Sequence, residues 1–212
     1  MAEPRVRDAR PDDLDAIYAI ALATGLAGAD AAHLYRDPKL VGRLYAAPYA
    51  VLEPGLALVV EDDSGVGGYI VGALDTLAFE ARLGREWWPA LRPRHPDPTG
   101  DPKDWGLDEI GAWQIHHRRP PPARITDPYP SHLHVNLLPR LQGQGLGRRL
   151  IDAWLARAAA AGSRGMHLGV NPANQRALRF YRAYGLEEFR FPRPKAQPDT
   201  IYFVRALEAP PR

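Results

Sequence analysis

The most constraining stretch of this chain is residues 131–147. An alternating, largely apolar run there ends in Gln142-Gly143-Gln144-Gly145-Leu146-Gly147, and a helical pattern begins. Three glycines in six residues let the backbone approach a ligand closely and turn its N–H groups the same way. A helix starting at that point presents unpaired N–H groups and the positive end of its dipole to an anion. Leu146, Leu150, Trp154, Leu155 and Ala158 form its apolar face, while Arg140, Arg148 and Arg149 add positive charge around the loop. Taken alone, the cluster fits either an anion cradle or a tight strand-to-helix turn. A dinucleotide-binding unit would place a ribose-binding carboxylate about twenty residues on. The chain instead reads Ser163-Arg164-Gly165 there, and it contains no Gly-Lys-Ser/Thr phosphate loop.

The flanking pattern predicts an α/β chain with a mixed sheet covered by helices. A strand is expected at 5–8, and a helix opens through 9–13, with Pro11 in its first turn, and ends near Gly25. A second helix is expected over 38–45. Residues 56–61 and 66–75 read as strands joined by Asp62-Asp63-Ser64-Gly65, an antiparallel hairpin. After 131 come a strand at 132–138, a helix at 145–161, a strand at 165–170, a helix at 174–184 and strands at 186–190 and 201–207. Residues 77–130 differ: helical stretches at 79–91 and 107–117 alternate with proline-rich ones at 92–102 and 119–130. Trp87, Trp88, Trp105 and Trp113 fall in this segment. It is read as an insertion packed onto the body of a single domain spanning 1–212.

Composition narrows the function classes. With no cysteine, disulfides, thiolate metal sites and a cysteine nucleophile are excluded. Among 27 basic residues only Lys39, Lys103 and Lys195 are lysines, and no dense basic run interleaves with aromatics, so a nucleic-acid partner is not expected. His116-His117 lacks the spacing and neighbours of a metal site, and no metal is expected. Residues 1–10 are polar and no apolar run is long enough to cross a bilayer, so a cytoplasmic protein without a membrane partner is expected.

The run Leu137-Leu138-Pro139-Arg140-Leu141-Gln142-Gly143-Gln144-Gly145-Leu146-Gly147 resembles the strand-preceded Q/R-x-x-G-x-G/A signature of the GNAT acetyltransferases, with Gln142, Gly145 and Gly147 on its defined positions. Downstream, Asn171-Pro172-Ala173-Asn174 and Ala177-Leu178-Arg179-Phe180-Tyr181-Arg182-Ala183-Tyr184-Gly185-Leu186 resemble the family's N-x-x-A-x-x-F-Y-x-x-x-G-F block. Leu186 stands where phenylalanine is commoner. Asp37-Pro38-Lys39-Leu40-Val41-Gly42, Trp87-Trp88-Pro89, Tyr129-Pro130-Ser131-His132 and Ala161-Gly162-Ser163-Arg164-Gly165 are similar to the acetyltransferase-like C-terminal domain of O-GlcNAcase, more closely to its stand-alone bacterial relatives.

The resemblance implies the GNAT fold: a mixed, mostly antiparallel central sheet with helices on both faces, here carrying a helical insertion. It implies acetyl-CoA as cosubstrate, with the pyrophosphate on backbone N–H groups of Gln142, Gly143, Gln144, Gly145, Leu146, Gly147 and Arg148. The pantetheine arm would lie along the strand edge at Val135, Asn136 and Leu137, where amides of the arm can satisfy strand N–H and C=O groups. Asn174 and Tyr181 would line the far side of the cleft.

Acetyl transfer from a thioester to an amine needs a neutral amine, a stabilised oxyanion and a protonated leaving thiolate. Tyr181, at the family's tyrosine position, is the expected acid; it also belongs to a helical stripe with Ala177 and Tyr184 that a core would use. Asn174 either bonds the cosubstrate or caps its helix. For the base, His134, which alternates with His132 and Asn136 on one strand face, and Asp75, at the end of a strand, are the candidates. The resemblance to O-GlcNAcase domains implies an aspartate where Asn136 stands, which leaves a water chain or a pre-deprotonated amine open. The expected function is an N-acetyltransferase acting on an unidentified amine, a protein lysine or a small molecule. The alternative is a non-catalytic acetyl-CoA-binding regulatory or partner-binding module.

Overall fold

The computed structural model describes residues 3–190 and 200–207. Its elements in chain order are β1 (Arg5–Asp8), α1 (Leu14–Ala23), α2 (Leu40–Tyr45), α3 (Ala47–Leu52), β2 (Leu58–Asp62), β3 (Gly65–Ala73), α4 (Thr76–Glu86), α5 (Trp88–Leu91), α6 (Leu107–His117), α7 (Ala123–Thr126), β4 (Ser131–Leu137), α8 (Leu146–Ala160), β5 (Gly165–Val170), α9 (Gln175–Tyr184), β6 (Glu187–Phe189) and β7 (Ile201–Ala206). The strands form one sheet in the order β1-β2-β3-β4-β5-β7-β6. Neighbours run antiparallel except β4 and β5.

Alternation along β4 decides what each face of the sheet meets. Leu133, Val135 and Leu137 turn toward a core built with Leu146, Leu150, Ile151 and Trp154 of α8 and Leu178 and Tyr181 of α9. His132, His134 and Asn136 turn the other way. That face packs on α1–α4 through Ile17, Leu44, Tyr49, Tyr69, Val71 and Phe79. Both helix layers expected from the pattern are present.

The helices that flank the cleft are set by local rules. Leu146, Leu150, Ile151, Trp154, Leu155 and Ala158 are buried along one side of α8, the stripe that a helix lying on a sheet requires. In α9 Asn174 caps the first turn by accepting from the Ala177 N–H at 3.0 Å. Gly185 ends it at φ 96°, with its N–H bonded to the Tyr181 and Arg182 carbonyls.

Three local expectations shift. The chain forms a further helix, α3, after the break at Ala46; its six residues are too few to show a period. The helix expected over 79–91 starts at Thr76 and breaks at Trp87, because Pro89 cannot donate into the preceding turn. Asp75 therefore ends no strand: its carboxylate caps α4, accepting from Ala78 N at 2.9 Å. Of the insertion's tryptophans, Trp88 is buried and Trp87 donates to the Arg43 carbonyl at 3.0 Å, whereas Trp113 is 39 % exposed.

One departure from regular pairing prepares the site. β4 keeps its register with β3 as far as Leu137, opposite Gly68. Toward β5 it shares only two pairs, Ser131 with Met166 and His132 with His167. Beyond His132 the two strands diverge, and among the described residues the β5-facing edge of β4 meets no strand.

Candidate functional site

The diverging strands open onto a cavity of about 440 Å³, within the range that small-molecule sites occupy. Val135, Asn136 and Leu137 of β4 form one wall. Gln142, Gly143, Gly145, Leu146, Gly147 and Arg148 form its end, and Asn174 and Tyr181 the opposite side. Eleven of the fourteen residues expected at the site thus share one cavity. Gln144, His134 and Asp75 are outside its lining.

The loop is built as an anion cradle requires. Gly143 and Gly145 sit at φ 76° and 75°, in the left-handed region that side chains disfavour. Gly145 is also the residue before α8, and no side chain caps that helix. Its first-turn N–H groups therefore face the cavity end without an intrahelical partner. The Gln142 amide ties the loop to its surroundings: Nε2 donates to the Leu137 carbonyl at 2.6 Å, and Oε1 accepts from Arg176. Arg148 lies over the Tyr184 ring, 4.8 Å from its centroid.

The other two arginines near the loop are committed elsewhere. Arg140 pairs with Asp62 of the hairpin at 3.0 Å and holds that carboxyl below its usual range. Arg149 reaches Glu3 at 3.4 Å. Gln144 donates to the Arg140 carbonyl at 2.7 Å, bracing the loop from outside.

The Tyr181 ring packs on Phe180 and Phe203, with centroids 5.3 and 5.5 Å away. Burial pushes its phenol up, so it keeps its proton at neutral pH. Among the described residues its hydroxyl has no hydrogen-bond partner, while the residue lines the cavity. The Asn136 amide donates to Thr24 Oγ1 at the end of α1. His134 is half-buried, its Nε2 3.2 Å from the Tyr49 hydroxyl. Burial, then the charges of Arg118 and His167, lowers its pKa to about 3. Asp75 lies past the far end of β3, about 20 Å along the strand direction from the residues opposite Asn136, at roughly 3.3 Å per residue.

Sequence reading passed over Thr24, Ala27, Gly28, Arg176 and Phe180, which also line the cavity. The small-residue run after α1 was the available signal for the first three. Ala27 adopts φ 47°, unusual for a residue with a Cβ. A Cβ at Gly28 would sit 3.2 Å from Asn174 Nδ2, so this turn closes against the cap of α9. Among the described residues no carboxylate is in the cavity lining. A second cavity of about 810 Å³ is lined by charged residues already paired with one another, such as Arg36 with Glu109 and Arg43 with Asp37. Among the described residues no cluster of histidine and carboxylate residues suits a metal ion, and no helix is long and apolar enough to cross a membrane.

Comparison with known proteins places this geometry. Residues 29–186 match the model of the acetyltransferase (GNAT) family. Protein O-GlcNAcase of Rattus norvegicus is 24 % identical over 152 residues, 72 % of this chain, and the Mus musculus protein matches equally. The chain spans 17 % of the length of these curated relatives. Among solved structures, the crystal structure of SsHAT superposes with a TM-score of 0.84 at 36 % identity, covering 97 % of this chain and 98 % of that one. The structure of yncA, a putative acetyltransferase from Salmonella typhimurium with its cofactor acetyl-CoA, superposes at 0.56 with 17 % identity, over 98 % and 95 % of the two chains.

Proposed function

The chain belongs to the acetyltransferase (GNAT) family, and we propose that it transfers the acetyl group of acetyl-CoA to an amine acceptor. One observation carries this reading: a strand edge left open at the β4–β5 fork runs directly into the glycine cradle before α8, with a free tyrosine hydroxyl across the gap. An elongated ligand carrying an anion at one end and amides along its arm matches that sequence of groups. The pyrophosphate would meet the N–H groups from Gly143 to Arg148, with Arg176 and Gln142 beside them. The arm would follow Val135 to Leu137. Asn174, whose Oδ1 accepts the capping bond, offers its amide N–H₂ to the ligand.

In the reaction the amine nitrogen attacks the thioester carbon, a C–N bond forms and the C–S bond breaks. Tyr181 holds a proton where the sulfur would leave and can supply it. The nitrogen loses its surplus proton through solvent, which restores Tyr181. The insertion reaches the opposite face of β4: Gln114 of α6 accepts from the Tyr45 hydroxyl, and the Tyr45 ring lies 6.0 Å from that of His134. It is therefore the element best placed to shape the acceptor side.

Titration calorimetry with acetyl-CoA and CoA, followed by an amine panel scored for thiol release, tests the proposal. Tyr181→Phe is expected to lower kcat by about 10²-fold while acetyl-CoA affinity stays within about twofold. Absence of acetyl-CoA binding overturns the reading. The lack of a carboxylate in the cavity among the described residues favours one alternative, an acetyl-CoA-binding module without turnover. Binding without thiol release from any amine would establish that alternative instead.

A further inference from the structure

The face of β4 opposite the α8 core carries a buried chain of hydrogen bonds that the transfer chemistry above does not use. Thr76 Oγ1, at the start of α4, lies 2.7 Å from the Pro130 carbonyl and 2.8 Å from His132 Nδ1. His132 Nε2 is 2.8 Å from the Tyr49 hydroxyl, which is in turn 3.2 Å from His134 Nε2. Four residues from α4, β4 and α3 are thus linked end to end.

Each proton in this chain can be placed by elimination. A carbonyl only accepts, so the Thr76 hydroxyl proton goes to Pro130. Thr76 Oγ1 must then accept from His132, which fixes that imidazole's proton on Nδ1. A neutral imidazole has one N–H, so His132 Nε2 is a bare acceptor and takes the Tyr49 proton. The Tyr49 oxygen is left to accept, and only His134 Nε2–H can supply it. His134 therefore carries its lone pair on Nδ1.

That nitrogen is not sealed in. Among the described residues the buried side-chain polar atoms without a partner are Thr126 Oγ1 and Trp154 Nε1, and no protein group bonds His134 Nδ1. Along β4, His134 lies between His132, at the apex of the fork, and Asn136, which lines the cavity.

We propose that His134 accepts one N–H of the acceptor amine at Nδ1, and that Thr76, His132 and Tyr49 are positioning residues that lock it in this tautomer. This deepens the acetyl-transfer reading and rests on it. With one N–H held, the neutral amine aims its lone pair at the thioester carbon; the bonds and protons then move as described above. Burial keeps the imidazole uncharged across the physiological range, so the acceptor is present at any working pH.

Imidazole ¹⁵N NMR of the full chain, with kinetics on the same samples, tests the relay. Wild type should show His134 protonated on Nε2 and bare on Nδ1, and His132 the reverse. Tyr49→Phe should mix the His134 tautomers and lower kcat about tenfold, with acetyl-CoA affinity unchanged. Thr76→Val should lower kcat by a smaller factor, and Thr76→Ser, which keeps the hydroxyl, should restore it. A wild-type His134 protonated on Nδ1, or a folded Tyr49→Phe with kcat within twofold, overturns the proposal. If wild type binds acetyl-CoA but acetylates no amine, the transfer reading and the amine contact fall together, while the ¹⁵N shifts still decide whether the relay exists.

Discussion

The two faces of β4 are assembled in opposite ways. On the α8–α9 side the loop brace and the helix cap are made by neighbours in the chain: Gln142 bonds Leu137 five residues away, and Asn174 caps Ala177 three residues on. On the α1–α4 side the partners are remote. Tyr49 is 83 residues from His132 and 85 from His134, and Thr24 is 112 from Asn136. The first face of the strand is apolar and leads to a cradle of backbone groups; the second is polar and holds its own side chains in one arrangement. A backbone cradle needs only a local motif, whereas the linked side chains of the other face come from separate elements brought together by folding.

The largest difference between the faces should appear in stability. Trp154 is fully buried against the sheet, and among the described residues its indole N–H has no hydrogen-bond partner. Trp154→Ala is expected to cost about 3–5 kcal/mol, measured by urea unfolding, and to weaken acetyl-CoA binding with it. A loss below about 1 kcal/mol would mean that the α8 face is not the main core.

Acid should act on the opposite face. Burial holds His132, His134 and His167 below the ordinary histidine value, His134 at about 3. Unfolding lets them bind protons, so between pH 6.5 and the folded values the unfolded chain carries more protons and stability falls as pH falls. The stability is fully present above about 6.5, with a slope of roughly 1.4 kcal/mol per pH unit for each histidine well inside that window. Urea unfolding at pH 7.5, 6.5 and 5.5 reads it. Stability that does not change across these points would show that the histidines are not buried as neutral groups.

The smallest effect concerns Asp75. Asn caps a helix as well as Asp, so Asp75→Asn should keep stability within a few tenths of a kcal/mol, while Asp75→Ala loses about 1 kcal/mol. If Asp75 takes a proton in transfer, the Asn variant loses turnover despite the intact cap. The capping geometry predicts turnover within twofold of wild type, scored by thiol release.

Legibility in the sequence follows the same division. The helix at Leu107–His117 and the strand at Gly165–Val170 stand where their patterns put them, and the glycine loop sits at the head of α8. Short elements were harder: α3, six residues containing Pro48, shows no period, so Tyr49 gave no sign of its place. Arg140 read as a charge for the anion, yet Asp62, 78 residues earlier, pairs with it. Asp75 read as a strand end, yet a new helix turn took its carboxylate.

What the sequence alone determined is the local architecture of residues 131–186: alternation sets which β4 side chains share a face, glycines set the loop, and caps set the helix ends. Each depends on interactions within a few residues, so the chain order suffices. Only the tertiary structure decided where β4 and β5 part, which arginines remain near the cradle, and that Tyr49 joins two histidines. The arginine and tyrosine outcomes depend on pairings across 78 to 146 residues, and the fork on the pairing of Ser131 with Met166 and His132 with His167; no periodicity encodes these, and packing around a single sheet selects them.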